Sequence, residues 1–252
     1  MASLTPAELD RYAWQLDIPG HGEAGQLKLK QSTVLISRAG GVGGTAALYL
    51  AAAGVGHLVL AHAGPLRLND LNRQLLMRTP GVGRARSLTA RETLESLNPE
   101  VRVSALDENV STANAERLVS MADAVVDAAP LFEERLALNA AARRLGKPMV
   151  EAAMHGMEFS VTTFLPDRPG CLACLCPEPP AWWRRRFPVI GAVTGVAGSL
   201  AAVEIIKVLT GNGEPLAGRM IAGDLHAGHV RTISLRANDS CSVCGGVTPN
   251  ST

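Results

Sequence analysis

Short apolar runs rich in β-branched residues alternate with longer segments of helical period through the first three-fifths of the chain. Thr33–Ile36, His57–His62, Val101–Ala105, Ala124–Asp127 and Met149–Ala153 read as strands. Between them, Thr45–Ala53 is Ala/Leu-rich, Arg84–Leu97 carries Leu88, Leu94 and Leu97 on one side, and Ala113–Met121 and Glu133–Leu145 also read as helices. A short helix is expected over Asp70–Leu76. The punctuation agrees: Gly54 closes the first of these helices, Asn98-Pro99 the helix before the third strand, and Gly146 with Pro148 the helix before the fifth. Upstream, Thr5-Pro6-Ala7-Glu8 is a capping box with proline at the first helical position, predicting a helix from Pro6 to about Leu16. Gly20, Gly22 and Gly25 predict a loop, from which Gln26–Lys30 leads into the first strand. After Ala153 the rhythm changes. Met157–Phe164 and Arg231–Leu235 read as antiparallel strands, with the apolar, glycine-bearing helix Val189–Leu209 between them.

Alternating strands and helices make a doubly wound, mostly parallel α/β sheet of Rossmann-like type, here with a C-terminal antiparallel extension. The expected organisation is one domain over 1–246, with a nucleotide-binding-type half at 33–153, an antiparallel half at 154–246 and a disordered tail at 247–252. A hydrophobic content of 47% is ample for a core, and the net charge of +1 gives no bulk electrostatic case for nucleic acid or a membrane surface. Glu204 and Lys207 and three glycines make Val189–Leu209 a buried core helix rather than a membrane span. Charges at Glu8, Asp10 and Arg11 leave no secretory leader, and a cytoplasmic location is expected.

Four of the five cysteines form two C-x-x-C knuckles, Cys171–Cys174 and Cys241–Cys244. Four thiolates meet the tetrahedral demand of a structural zinc with no open position, so the end of the chain is expected to be tied to its middle by zinc. Cys176 is left over and reads as a bystander thiol.

The chemistry is concentrated after the first strand. Thr33–Gly44, TVLISRAGGVGG, is a strand running into glycines and then a helix, the arrangement that cradles phosphate on backbone N–H groups. With this stretch go Arg11-Tyr12-Ala13-Trp14-Gln15, Leu71-Asn72-Arg73-Gln74, Gly81-Val82-Gly83, Leu97-Asn98-Pro99, the segment from Cys171 to Pro179, Gly213-Glu214-Pro215-Leu216 and the closing knuckle. Taken together and in order, these resemble the ThiF/MoeB/HesA family, bacterial relatives of ubiquitin-activating enzymes. The resemblance covers nearly everything from Arg11 to Gly246. It implies a homodimer and an MgATP site that adenylates the C-terminus of a ubiquitin-like sulfur-carrier protein or peptide, in cofactor or natural-product biosynthesis. Nucleotide-binding residues carried over are Gly40, Gly41, Gly43, Arg73, Gln74, Arg86 and Asp127, with Arg73 and Arg86 as the catalytic cations.

The resemblance breaks at points of chemistry. Arg38 stands at the first glycine of the turn, where its side chain would crowd the turn or fill the phosphate cradle. His62-Ala63-Gly64 stands where the family has two acids, the first of which holds the ribose. Arg86 replaces the phosphate-binding lysine, Pro130 the magnesium acid, and Trp14 the arginine that reaches the partner's ATP. Each loss is expected to cost on the order of tenfold to a thousandfold in rate. Two alternatives therefore stand beside the family activity: a catalytically degenerate subunit that binds a carrier or pairs with a homologue, and a pocket repurposed for another anion or metabolite. Trp182-Trp183-Arg184-Arg185-Arg186, in the crossover loop, is expected to contact a partner.

Overall fold

The computed structural model describes residues 3–245; the expected disordered tail lies outside them. The chain opens with α1 (Pro6–Arg11), whose Thr5–Glu8 capping box is formed, and α2 (Ala13–Leu16). The single helix expected from Pro6 is broken at Tyr12, whose ring is buried and whose hydroxyl accepts from Asn98 Nδ2 at 2.9 Å. Then come α3 (Gly22–Gln31), β1 (Thr33–Ser37), α4 (Val42–Ala52), β2 (His57–Ala61), α5 (Arg86–Leu97), β3 (Arg102–Leu106), α6 (Ala115–Ser120), β4 (Ala124–Asp127) and α7 (Phe132–Arg144). The chain continues through β5 (Met149–His155), β6 (Glu158–Phe164), α8 (Leu172–Leu175), α9 (Gly191–Thr210), β7 (Arg219–Asp224) and β8 (His229–Ser234). The glycine loop expected ahead of β1 is instead helix α3. Gly25 sits inside it because any Cβ there would stand 2.8 Å from Nδ1 of the buried His21 ring. The short helix expected over Asp70–Leu76 is a 3-10 turn at Leu68–Asp70 followed by further turns, with the Asp70 carboxylate accepting from the Arg67 N–H and from Gln74.

The strands form one sheet in the order β3-β2-β1-β4-β5-β6-β7-β8. The first five are parallel, and β6, β7 and β8 add as antiparallel neighbours. β7 escapes sequence reading because Arg219-Met-Ile-Ala-Gly-Asp does not alternate. Side chains of each strand point alternately to two cores. Val34, Ile36, Leu58, Leu60, Val126 and Val150 face α3, α4, α5 and α9; Leu35, Val59, Val125 and Met149 face α6 and α7.

α9 is long and apolar enough in composition to cross a membrane, but it packs against α4, β4, β5 and β6. Its polar residues are satisfied: Glu204 pairs with Lys207 and accepts from Thr163 Oγ1 at 2.6 Å and the Leu216 N–H at 2.7 Å. Glycines let its N-terminal half press on the phosphate-turn region. A Cβ on Gly198 would stand 2.6 Å from Thr45 Cβ and deep inside contact distance of the Val42 carbonyl, and one on Gly191 would collide with the Asn72 carbonyl. Because backbone cannot yield as a side chain can, Gly198→Ala is expected to destabilise the fold by about 1–3 kcal/mol, read as a lower urea midpoint at unchanged slope.

Candidate functional site

β1 lies between β2 and β4, so connections from it run to both sides and a crevice opens at the strand carboxyl ends. A cleft of about 1340 Å³ occupies this place. The turn after β1 forms one wall. Arg38 takes the left-handed conformation, φ 69°, a cost on the order of 1–2 kcal/mol for a residue with a Cβ. Its guanidinium turns to Glu134 in the first turn of α7, with Nε donating at 2.8 Å and the terminal nitrogen closing a bidentate pair. The turn survives the substitution, and the charge lies at the cleft edge, countered by Glu134. Gly40 and Gly41 line the cleft; Gly43 is packed inside the turn, where a Cβ would collide with the Arg38 carbonyl.

The wall adjoining this turn is organised by Asp70. Its Oδ2 accepts from Arg86 at 2.7 and 3.2 Å and from the Arg67 N–H at 3.0 Å; its Oδ1 accepts from Gln74 Nε2 at 3.0 Å and from Arg73 at 3.3 Å. Burial alone would raise the Asp70 pKa, but the Arg86 hydrogen bond, the Arg67 N–H and the two guanidinium charges outweigh it and hold the pKa below the usual carboxylate range. Three of the residues carried over by resemblance, Arg73, Gln74 and Arg86, are thus brought together on one carboxylate. His62, at the end of β2, joins them almost fully buried. Burial first, then the charges of Arg38 and Arg86, lower its pKa to about 3, so the ring is neutral.

The floor is a buried charge cluster that sequence reading did not anticipate. Arg135 on α7 donates to Glu151 Oε1 at 2.7 Å and to Asp127 Oδ2 at 3.4 Å. Asp127 also accepts from Ser37 Oγ and from the Ala129 N–H, and does not line the cleft. One guanidinium faces two buried carboxylates. Burial, with the Asp127 charge adding to it, pushes Glu151 up to about 7 against the pull of Arg135. Glu151 lines the cleft, and its Oε2 has no hydrogen-bond partner.

The crossover loop folds over the remaining side. Trp183 donates from Nε1 to the Pro130 carbonyl at 2.8 Å and packs edge-on against Phe132, with Phe187 and His155 beside it. Arg185 and Arg186 line the cleft, whereas Trp182 and Arg184 face solvent. Burial and the nearby charges of Arg38, Arg73 and Arg86 hold the Arg185 pKa below the usual arginine range. Trp14, on α2, is 92% exposed.

The four knuckle cysteines converge beside α7, where Asn139 Oδ1 accepts the Leu172 N–H at 3.0 Å. Their sulfurs all lie within 4.8 Å of one another, with Cys171–Cys241 at 3.8 Å and Cys174–Cys244 at 3.3 Å. Tetrahedral zinc with bonds of about 2.3 Å sets sulfurs about 3.8 Å apart, so the cluster fits such an ion. Cys176 stands outside it, donating to the Glu178 carbonyl.

The sequence profile of the ThiF family matches residues 12–243. The chain belongs to the ThiF family. It is 47% identical over 249 residues to the heterocyst protein HesA of Trichormus variabilis, covering 99% of this chain and 93% of that one. It is 38% identical to a sulfur carrier protein adenylyltransferase of Thermus thermophilus, covering 96% and 92%. Among solved structures, Escherichia coli MccB with MccA-N7isoASN superposes with a TM-score of 0.83 at 23% identity, covering 94% of this chain and 75% of that one. This chain has Arg38, His62, Arg86, Pro130 and Trp14 where the resemblance expects a glycine, an acid, a lysine, an acid and an arginine.

The floor predicts a pH dependence. Glu151 has a folded pKa above its unfolded value, so the folded state holds a proton that the unfolded state has lost, and stability falls as pH rises from about 4 to about 7. Glu151→Gln is expected to remove that fall: urea midpoints of the variant and the parent should converge near pH 4, with the variant gaining on the parent toward pH 8.

Proposed function

We propose that this ThiF-family chain activates the C-terminal carboxylate of a ubiquitin-like sulfur-carrier protein or peptide by adenylylation. The observation that carries the reading is the pairing of a glycine-bearing turn with two guanidinium groups, Arg73 and Arg86, fixed on Asp70 and lining the same cleft. Backbone N–H groups and the start of α4 suit phosphate, and the guanidiniums suit the charge that develops when the carboxylate oxygen attacks the α-phosphorus and the bond to the bridging oxygen breaks, releasing pyrophosphate. The relative from Thermus thermophilus is named for adenylylation of a sulfur carrier, and the MccB structures hold the peptide MccA, which supports a protein or peptide tail as the acceptor. The residues do not fit a magnesium ion held as the resemblance implies. Pro130 offers no side-chain oxygen and Asp127 is committed to Ser37, Ala129 and Arg135, so the positive charge at the phosphates is assigned to arginines.

Zinc is the assigned occupant of the cysteine cluster, where it joins the segment after β8 to α8 and stiffens the fold without touching the cleft. The exposed Trp14 and the exposed Val196 and Val203 of α9 suit a subunit contact with a second copy or a homologue.

The test is pyrophosphate release from ATP in the presence of a ubiquitin-like sulfur carrier. Release that depends on the carrier is expected, with Arg73→Met lowering it by about a hundredfold. Binding of the carrier with no pyrophosphate would overturn adenylylation in favour of a degenerate carrier-binding subunit.

A further inference from the structure

The crossover loop is fastened at three places around the cleft. Just past β4, the Pro130 carbonyl accepts from Trp183 Nε1 at 2.8 Å, and the Trp183 ring meets Phe132 edge-on at 5.4 Å. In the turn between β5 and β6, the Gly156 N–H donates to the Pro188 carbonyl at 2.9 Å. Gly191 then opens α9 against the turn that carries Arg73, where a Cβ would stand 3.2 Å from Arg73 Cα. Between the first two fastenings the Trp183 and Phe187 rings lie 5.1 Å apart, with the His155 ring packed beside both. The rings pinch residues 183–187 into a clip, and Arg185 is its middle residue.

The charge of Arg185 is uncompensated. Its neighbour Arg184 turns back to donate to the Ala181 and Trp183 carbonyls. Arg185 lines the cleft, and among the described residues it makes neither an ion pair nor a hydrogen bond. The charges of Arg38, Arg73 and Arg86 act on it, opposed by that of Glu134. Glu134 is already paired with Arg38, and Asp70 is shared by Arg73 and Arg86. Four guanidiniums against two carboxylates leave two positive charges over. Like charges gathered without a counter-ion repel, and a long side chain on an open loop would swing out into water; the aromatic clip opposes that. An anion with two or more negative charges completes the group. Phosphate oxygens also match the planar fork of a guanidinium, whereas a single carboxylate would leave positive charge over.

We propose that Arg185 is a third arginine ligand of the nucleotide's β- and γ-phosphates, presented to them by the aromatic clip of the crossover loop. The assignment rests on the adenylylation reading for the identity of the anion. As the acceptor carboxylate closes on the α-phosphorus, the bridging oxygen keeps the electron pair of the breaking bond. Arg185, with Arg73 and Arg86, balances the charge that the departing pyrophosphate gathers. The clip begins on Pro130, so a residue that offers no metal ligand anchors a cation instead.

Calorimetric titration of pyrophosphate, of AMP and of N-acetyl-glycylglycine into the zinc-loaded protein, in magnesium-free buffer, tests this. Arg185→Met is expected to weaken pyrophosphate binding by roughly tenfold to a hundredfold, the worth of a charge-assisted hydrogen bond, and to change AMP binding by less than about twofold. Arg185→Lys, which keeps the charge without the fork, should fall between parent and Arg185→Met. Pyrophosphate affinity in Arg185→Met within about threefold of the parent, or an equal loss for AMP, would overturn the assignment. So would a loss confined to N-acetyl-glycylglycine, which would give Arg185 to the acceptor's carboxylate, and so would a parent that binds no pyrophosphate. The two readings fail separately. Arg185-dependent pyrophosphate affinity without carrier-dependent pyrophosphate release sustains the phosphate ligand and overturns adenylylation; release with an unchanged affinity in Arg185→Met does the reverse.

Discussion

One buried carboxylate holds the cationic wall of the cleft. Asp70 accepts from Arg67, Arg73, Gln74 and Arg86 at once; the first three sit in turns with little regular structure of their own, and Arg86 opens α5. Arginine side chains on such turns would otherwise sample solvent; the shared acceptor fixes their directions before a ligand arrives, which is what preorganised electrostatic stabilisation requires. It also keeps two guanidiniums within reach of an anion without unscreened repulsion between them.

A second constraint is the glycine turn with an arginine in it. The resemblance expects glycine at position 38, and the left-handed backbone there confirms why. The turn tolerates arginine because the strain of a side chain at positive φ is offset by a bidentate pair with Glu134, and because the side chain leaves the cradle for α7. The substitution thus moves a cation to the cleft rim instead of closing the site. On the floor, Arg135 is neutralised between Asp127 and Glu151 and ties α7 to β4 and β5. The cations on the cleft lining with the least local compensation are then Arg73 and Arg86, which share one carboxylate, and Arg185 and Arg186 on the crossover loop.

Much of this was legible in the chain. The parallel strands came through because buried strands are short, apolar and β-branched, and the cysteine cluster because paired knuckles have no common alternative meaning. Arg73, Gln74 and Arg86 were placed by resemblance. The rest was hidden for identifiable reasons. α3 carries glycines that look like a loop but make room for His21. β7 lacks alternation. Glu134, Arg135 and Glu151 are ordinary charged residues in helix and strand until the fold sets them against Arg38 and Asp127, residues 96 and 8 positions away in the case of the two ion pairs. His62 shows in the sequence only as a departure from an expected acid; the packing of β3 and the turn after β1 makes it a buried ring with an unpartnered nitrogen.

The central claim is that arginines, not a protein-held magnesium ion, carry the positive charge for the nucleotide's phosphates. Calorimetric titration of ATP in the presence of a chelator, repeated with magnesium, tests it most directly. The account predicts binding in both conditions with affinities of the same order. Binding that appears only with magnesium would contradict it, and would assign the metal to cleft carboxylates other than Asp127.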